Sequence, residues 1–182
     1  MIEYAPVIPV PHVDELELRL IDPGDAPMLH DFVRENQAHL QDFQSQVARL
    51  GEAPERAVAA VQYSIAALAT GRFLQYRVMH AEEMAGTVTL FDRNTTAAKV
   101  GYYIGKNFIG QGFAPRAARA LIEYAKQPDV WGLTQVDLQI ADSNVPSHHV
   151  AQRLGAQPTM SYGSEETANG TRRALRVWEM HI

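Results

Sequence analysis

The chain has 182 residues, a net charge of −5 and no cysteine, with 46% hydrophobic and 20% charged residues. That composition fits a globular chain rather than a disordered one, and the missing cysteines exclude a disulfide scaffold, a zinc-thiolate site and a cysteine nucleophile. Arg172–Arg173 is the only adjacent basic pair, and the longest uncharged run, Ala57–Gly71, is too short to span a bilayer; a soluble, cytoplasmic protein with no nucleic-acid or membrane partner is expected.

Residues 1–13 carry Pro6, Pro9 and Pro11 and read as an extended, Pro-rich arm, followed by a single domain over 14–182. The arm could pack on a neighbouring copy, so monomer and homodimer both stay open. In Glu15–Ile21, Leu16, Leu18 and Leu20 alternate with Glu17 and Arg19, the period of a half-buried strand. Asp22-Pro23-Gly24-Asp25 then turns the chain, and a helix with Met28, Leu29, Phe32 and Val33 on its apolar stripe runs to about Leu40. A second helix is predicted from near Pro54 to Gly71, with Val58, Val61, Ile65 and Leu68 as its apolar face.

Arg72–Met79, Gly86–Phe91 and Val100–Ile104 read as strands of an antiparallel meander, with Asp92-Arg93-Asn94 as one of its turns. A glycine-bearing loop and a strong helix pattern (Ala114, Ala117, Ala118, Leu121, Ile122, Ala125) follow. Gln135–Ile140 alternates again, a helix opens after Asp142-Ser143-Asn144-Val145-Pro146 and stops at Leu154-Gly155, and Ala174–Ile182 closes the pattern as a strand. Trp131 and Trp178 are expected in the core. The order is α+β: a mixed sheet, antiparallel first, with two strand–loop–helix crossovers in its second half. Consecutive crossovers put both helix starts near the carboxyl ends of their strands, where such sheets bind ligands.

Those two helix starts carry the chemistry. Ile109-Gly110-Gln111-Gly112-Phe113-Ala114 follows a strand and opens a helix. Its glycines let the backbone approach a ligand, and the free N–H groups of a helix start suit a pyrophosphate. The same loop would also serve as a tight turn, and it is neither a Walker loop nor a dinucleotide fingerprint. Asn144-Val145-Pro146-Ser147 likewise follows a strand. Capping by Ser143 or Asn144 explains most of it, but Ser147 lies beyond the usual cap position, leaving its hydroxyl for another task.

In order and spacing the two motifs resemble those of the GNAT superfamily of N-acetyltransferases, over nearly the whole chain. Leu18-Arg19-Leu20 with Asp25-Ala26 is similar to that family's first strand and helix, and Gly86-Thr87-Val88 to its central meander. Val100-Gly101-Tyr102-Tyr103-Ile104 leads into the glycine loop, and Asn144-x-x-Ser147-x-x-Val150-x-x-x-Leu154-Gly155-Ala156 is similar to the second motif region. Asn36-x-x-His39-Leu40, Gly101-Tyr102 and Asn144-x-x-Ser147 resemble the ribosomal-protein N-terminal acetyltransferase branch.

The resemblance implies a GNAT-like, mostly antiparallel central sheet flanked by helices, with acetyl-CoA in the splay between the fourth and fifth strands. It implies acetyl transfer to a primary amine by direct attack, without a metal. Ile109, Gly110, Gln111, Gly112, Phe113 and Ala114 would cradle the pyrophosphate with backbone N–H groups. Tyr102, Tyr103 and Ile104 would pair with the pantetheine arm as an extra strand. Asn144 would hydrogen-bond the pantetheine or the incoming group, Ser147 would act as general acid toward the departing sulfur, and an N–H near Tyr103 would serve the oxyanion. Tyr102, Tyr103 and Phe113 could also line the acceptor cleft, although Phe113 equally suits the core.

Two positions depart from the family pattern. Ile109 stands where Gln or Arg is usual, and Lys99 where the branch has a Glu that can act as base. His39, His80, Tyr102, Glu165 and the pair His148/His149 are the other candidates for the base. With α-amine and lysine pKa values of about 7.7–8.0 and about 10.4, roughly a third of an α-amine but only about a thousandth of a lysine is neutral near physiological pH. Lacking a base thus costs an α-amine under about 1 kcal/mol and a lysine about 4. The expected acceptor is a protein or peptide N-terminus, with a small-molecule amine as the alternative and a non-catalytic acyl-CoA-binding module as the third reading.

Overall fold

Alternating apolar and polar residues build one mixed sheet in this computed structural model, which describes residues 2–43, 45–167 and 172–182. Its strands are β1 (Val7–Pro9), β2 (Leu16–Leu20), β3 (Leu74–His80), β4 (Glu83–Phe91), β5 (Ala97–Ile104), β6 (Gln135–Ala141), β7 (Gln157–Glu166) and β8 (Arg172–His181). The helices are α1 (Ala26–Leu40), the single turn α2 (Ser45–Ala48), α3 (Pro54–Ala69), α4 (Phe113–Lys126) and α5 (Val145–Leu154). The strand order is β1-β2-β3-β4-β5-β6-β8-β7, and only the β5–β6 pair is parallel. On one face Leu18, Tyr76, Val78, Val88 and Val100 pack against α4 and α5. On the other, α1 packs through Leu29, Phe32 and Val33 together with Val61 of α3, Met79 and Met84.

The predicted elements are present, with three differences. The arm supplies β1, which pairs with β2 through Val7–Arg19, Ile8–Leu18 and Pro9–Glu17. It is fastened to its own chain: Ala5 N donates to Tyr124 Oη (2.7 Å), Tyr76 Oη donates to Ala5 O (2.7 Å) and Trp131 Nε1 donates to Tyr4 Oη (3.0 Å). β7 lacks the period-two signal because neither of its faces is buried, so Met160 and Tyr162 stand exposed. On α3, Val58 is exposed, and Ala57, Val61 and Ser64 form the buried face instead. The fourth and fifth strands of the sequence reading are β5 and β6, because β1 shifts the count by one.

Three features of the sheet position the site. First, Asp25 at the start of α1 takes the Asp22 N–H at 2.7 Å and lies 2.8 Å from Arg77 Nε of β3. Burial pushes the Asp25 carboxyl up, while the Asp22 N–H and then the Arg77 charge pull against it. A carboxylate and a guanidinium buried together dock the helix on the sheet.

Second, one step on β3 (Val78 to Met79) is matched by two on β4 (Gly86 to Met84), so Ala85 is an extra, bulged residue. Third, Gly86 beside this bulge permits a close approach: a Cβ there would lie 2.0 Å from the Tyr103 carbonyl oxygen. β5 leans on β4 at this point. Its pairing with β6 ends after Ala97–Gln135, Ala98–Val136 and Lys99–Asp137. Gly86→Ala should therefore force the strands apart and cost about 1–3 kcal/mol of stability, as overpacking does, measured as a lower urea midpoint; an unchanged midpoint would refute the close approach.

Candidate active site

Beyond Lys99, the β6-facing edge of β5 pairs with no described strand. The gap between the two strands opens into a cleft of about 440 Å³ that reaches both sides of the sheet. Tyr102 packs with the cluster under α4 and α5, and Tyr103 with the α1 cluster, so successive residues of β5 present their side chains to opposite ends of the cleft. Asn144 and Ser147, from the first turn of α5, stand at the cleft wall beside Tyr102. Across the sheet the cleft is floored by Gln75, Thr87 and Thr89 and bounded by Phe43, Glu165 and Arg173.

Asn144 caps α5: its Oδ1 accepts the Ser147 N–H at 3.2 Å. Capping and ligand contact are compatible, because the cap uses the amide oxygen and leaves its NH2 group. Ser147 is the third helical residue, and its hydroxyl has no partner among the described residues. The Tyr102 hydroxyl donates to the Ser147 carbonyl at 3.4 Å, a long contact. Burial pushes the Tyr102 phenol up to about 12, with the Ser147 contact pulling back. Burial also pushes Tyr103 up to about 12, with Thr87, its cross-strand partner, pulling back. Both phenols stay protonated at neutral pH, so Tyr102 is a donor and not the base.

The glycine loop lies at the start of α4. Gly110 and Gly112 are left-handed (φ 81° and 75°), and Gly112 as the N-cap offers no capping side chain. The first turn of α4 carries no acid. Its orphan N–H groups and positive dipole end therefore have no capping side chain and no first-turn acid among the described residues. Phe113 serves the core through its side chain, which is 3% exposed and packs on Phe108 and His80. Only its backbone can face a ligand. Gln111 Nε2 donates to Asn107 O at 3.0 Å, and Ile109 is exposed. Ile104 is half-buried against the α4 side. Asn36 fixes the run-up to the loop: its Oδ1 accepts the Lys106 N–H (2.8 Å) and its Nδ2 donates to Phe32 O (2.8 Å).

The candidates for the base separate by place. Lys99 Nζ pairs with Asp92 at 2.9 Å and does not line the cleft, so its charge is neutralised away from any acceptor. His80 sits against Phe108 and Phe113, His148 accepts the Trp178 indole N–H at 3.1 Å, and His39 and His149 are exposed. Among the described residues, Glu165 is the one carboxylate that lines the cleft. Arg173 holds it through Nε (2.8 Å) and Nη2, while Arg173 Nη1 donates to Asp42 O (2.7 Å) and its guanidinium lies over the Phe43 ring. Sequence reasoning missed Arg173 and the polar floor. Thr87 and Thr89 alternating through the apolar β4 were the available signal.

An open strand edge running toward an unfilled helix start suits an extended amide chain that ends in phosphates, which is the shape of coenzyme A. A protein built this way is an acyltransferase that draws on a CoA thioester. The chain belongs to the GNAT acetyltransferase family: residues 15–157 match the family profile described as "Acetyltransferase (GNAT) domain". Its co-substrate is acetyl-CoA.

Among sequence relatives, YdaF of Bacillus subtilis, named as a candidate ribosomal N-acetyltransferase, is 25% identical over 144 residues, 78% of each chain. The uncharacterized N-acetyltransferase p20 of Bacillus licheniformis is 28% identical over 95 residues, which spans about half of each chain (51% and 52%). Among solved structures, RimL, a ribosomal L7/L12 alpha-N-protein acetyltransferase in complex with CoA, superposes with a TM-score of 0.80 at 28% identity, covering 97% of this chain and 98% of that one. A Salmonella typhimurium acetyltransferase that modifies the N-terminal serine of the same ribosomal protein gives 0.80 at 26% identity, covering 97% and 99%.

Unfolded tyrosines ionise near 10, whereas folded Tyr102 and Tyr103 hold their protons up to about 12. Their contribution to stability is complete below about pH 10 and is lost as pH rises toward 12. Tyr102→Phe and Tyr103→Phe should accordingly flatten the fall in denaturation midpoint between pH 9 and about 11; an unaltered slope in both variants would contradict buried phenols.

Proposed function

We propose that this acetyltransferase modifies a protein or peptide N-terminal α-amine. The observation that carries the reading is the charge of the cleft. Among the described residues its only charged lining side chains are Glu165 and Arg173, and they are paired with each other. Residues 44 and 168–171, near Phe43 and the Glu165–Arg173 pair in the sequence, are Gln, Ala, Asn, Gly and Thr and bring no side-chain charge. Such a cleft has one carboxylate for one ammonium and a guanidinium that disfavours further positive charge. A polyamine or aminoglycoside would need several acids. A peptide N-terminus has one ammonium, and the carbonyl beside it is a natural partner for Arg173. RimL, described as an alpha-N-protein acetyltransferase, and the Salmonella typhimurium enzyme, described as modifying an N-terminal serine, support the same acceptor class.

Acetyl-CoA supplies an activated thioester carbonyl. We assign Glu165 to receive the amine proton, directly or through a water. Its pairing with Arg173 is tolerable because an α-amine needs only a weak base: about a third is already neutral near physiological pH. The polar floor of Gln75, Thr87 and Thr89 gives the amine hydrogen-bond partners. Ser147, with its hydroxyl free on a helix pinned by the Asn144 cap, is assigned to give a proton to the departing sulfur. A backbone N–H of β5 near Tyr103 is assigned to the oxyanion.

Thiol release with a panel of peptides, N-acetyl-lysine and spermidine tests the acceptor. Peptide α-amines should react fastest; faster turnover of the ε-amine or of spermidine overturns the reading, and no turnover with any amine despite CoA binding favours a binding module. Ser147→Ala should lower kcat by about 10²–10⁴-fold while CoA affinity is retained; an unchanged kcat removes its role as acid.

A further inference from the structure

We infer that Arg116 is a phosphate-binding residue for coenzyme A, supplying from within α4 the polar side chain that Ile109 at the start of the glycine loop does not provide. Position 109, at the loop's start, is occupied by an exposed isoleucine. The side chain that does reach the loop is Arg116, one turn into α4. Its Nη1 lies 3.1 Å from the Gly112 carbonyl oxygen and 3.3 Å from that of Gln111. The glycine at 112 makes room for it, since a Cβ there would lie 2.2 Å from Arg116 Nη1.

This placement is unfavourable for the helix alone. α4 begins with no side-chain cap and no acid in its first turn, so its positive end is uncompensated. A guanidinium folded back over that end adds like charge to it. Arg119, one turn further on, has found a better partner: its Nη2 donates to the Arg153 carbonyl at 2.8 Å, in the last turn of α5 where a cation is welcome. Among the described residues Arg116 has only two loop carbonyls as partners, on an exposed surface. An anion bound at the loop reverses the balance, because the orphan N–H groups and the guanidinium would then act on the same phosphate. The free protein thus carries a charge conflict at α4 that coenzyme A resolves.

The inference depends on the family's co-substrate and not on the acceptor, so it survives or fails independently of the peptide reading. The test is calorimetric binding of CoA, 3′-dephospho-CoA and pantetheine to the full chain and to Arg116→Gln and Arg116→Glu, together with thermal melts of the ligand-free proteins. CoA Kd should rise about 10-fold in Arg116→Gln and further in Arg116→Glu, as loss of a charge-assisted bond requires, with pantetheine binding unaltered. Ligand-free Arg116→Glu should melt at least as high as the parent, by about 1–3 °C more, because an acid suits the helix start. A variant effect that persists with 3′-dephospho-CoA assigns Arg116 to the pyrophosphate, and one that vanishes assigns it to the 3′-phosphate. Unchanged CoA affinity in both variants overturns the inference. So does weaker CoA binding accompanied by a lower ligand-free melting temperature or by weaker pantetheine binding, since either would make Arg116 a structural strut.

Discussion

β5 and β6 run side by side for three residue pairs and then part. A parallel ladder broken in the middle of a sheet leaves backbone groups without partners, which is costly unless something else fills the place. The separation is built in: the Ala85 bulge and the bare Cα of Gly86 draw the end of β5 onto β4 and away from β6. The candidate site is arranged around this gap. Because β5 alternates, one strand can offer Tyr102 toward α5 and Tyr103 toward α1, so the two ends of the cleft belong to different layers of the fold.

The same arrangement explains how a chain with a net charge of −5 binds a polyanion. Overall charge acts at long range and is screened within about 10 Å at ordinary ionic strength, whereas helix N–H groups act at contact. At the Glu165 end of the cleft the charges are also local. Glu165 and Arg173 bridge the β7–β8 hairpin to the loop after α1 through the Asp42 carbonyl and the Phe43 ring, so cleft shape and cleft charge depend on the same two side chains.

Much of this was legible in the sequence, for physical reasons. Leu16, Leu18 and Leu20 alternate because one side of β2 is buried, and α4 shows its apolar stripe because one face packs on the sheet. Ser143 and Asn144 both read as caps and the structure uses Asn144, while Ser147 stood out because it lies inside the first helical turn, three residues past that cap. β7 was not legible, since a strand with neither face in the core carries no periodic signal. Neither was the pairing of Lys99 with Asp92, which removed the apparent obstacle of a lysine in place of an acid. Such a contact depends on a turn's geometry rather than on a motif. Arg173 was seen only as half of a basic pair, because its partner Glu165 lies across a hairpin whose second strand alone had been recognised.

The arm has a consequence for how the chain is made. Tyr4 and Ala5 find their partners on Trp131 and Tyr124, at sequence separations of 127 and 119 residues. Contacts this distant close late, because the loop entropy must be met before they form. During synthesis residues 4–9 are made well before α4 exists, and in the interval Val7–Pro9 can pair with β2. The segment Tyr4–Pro9 is thus among the last parts to reach its place, and it latches only after the helix that bears the glycine loop has docked on the sheet.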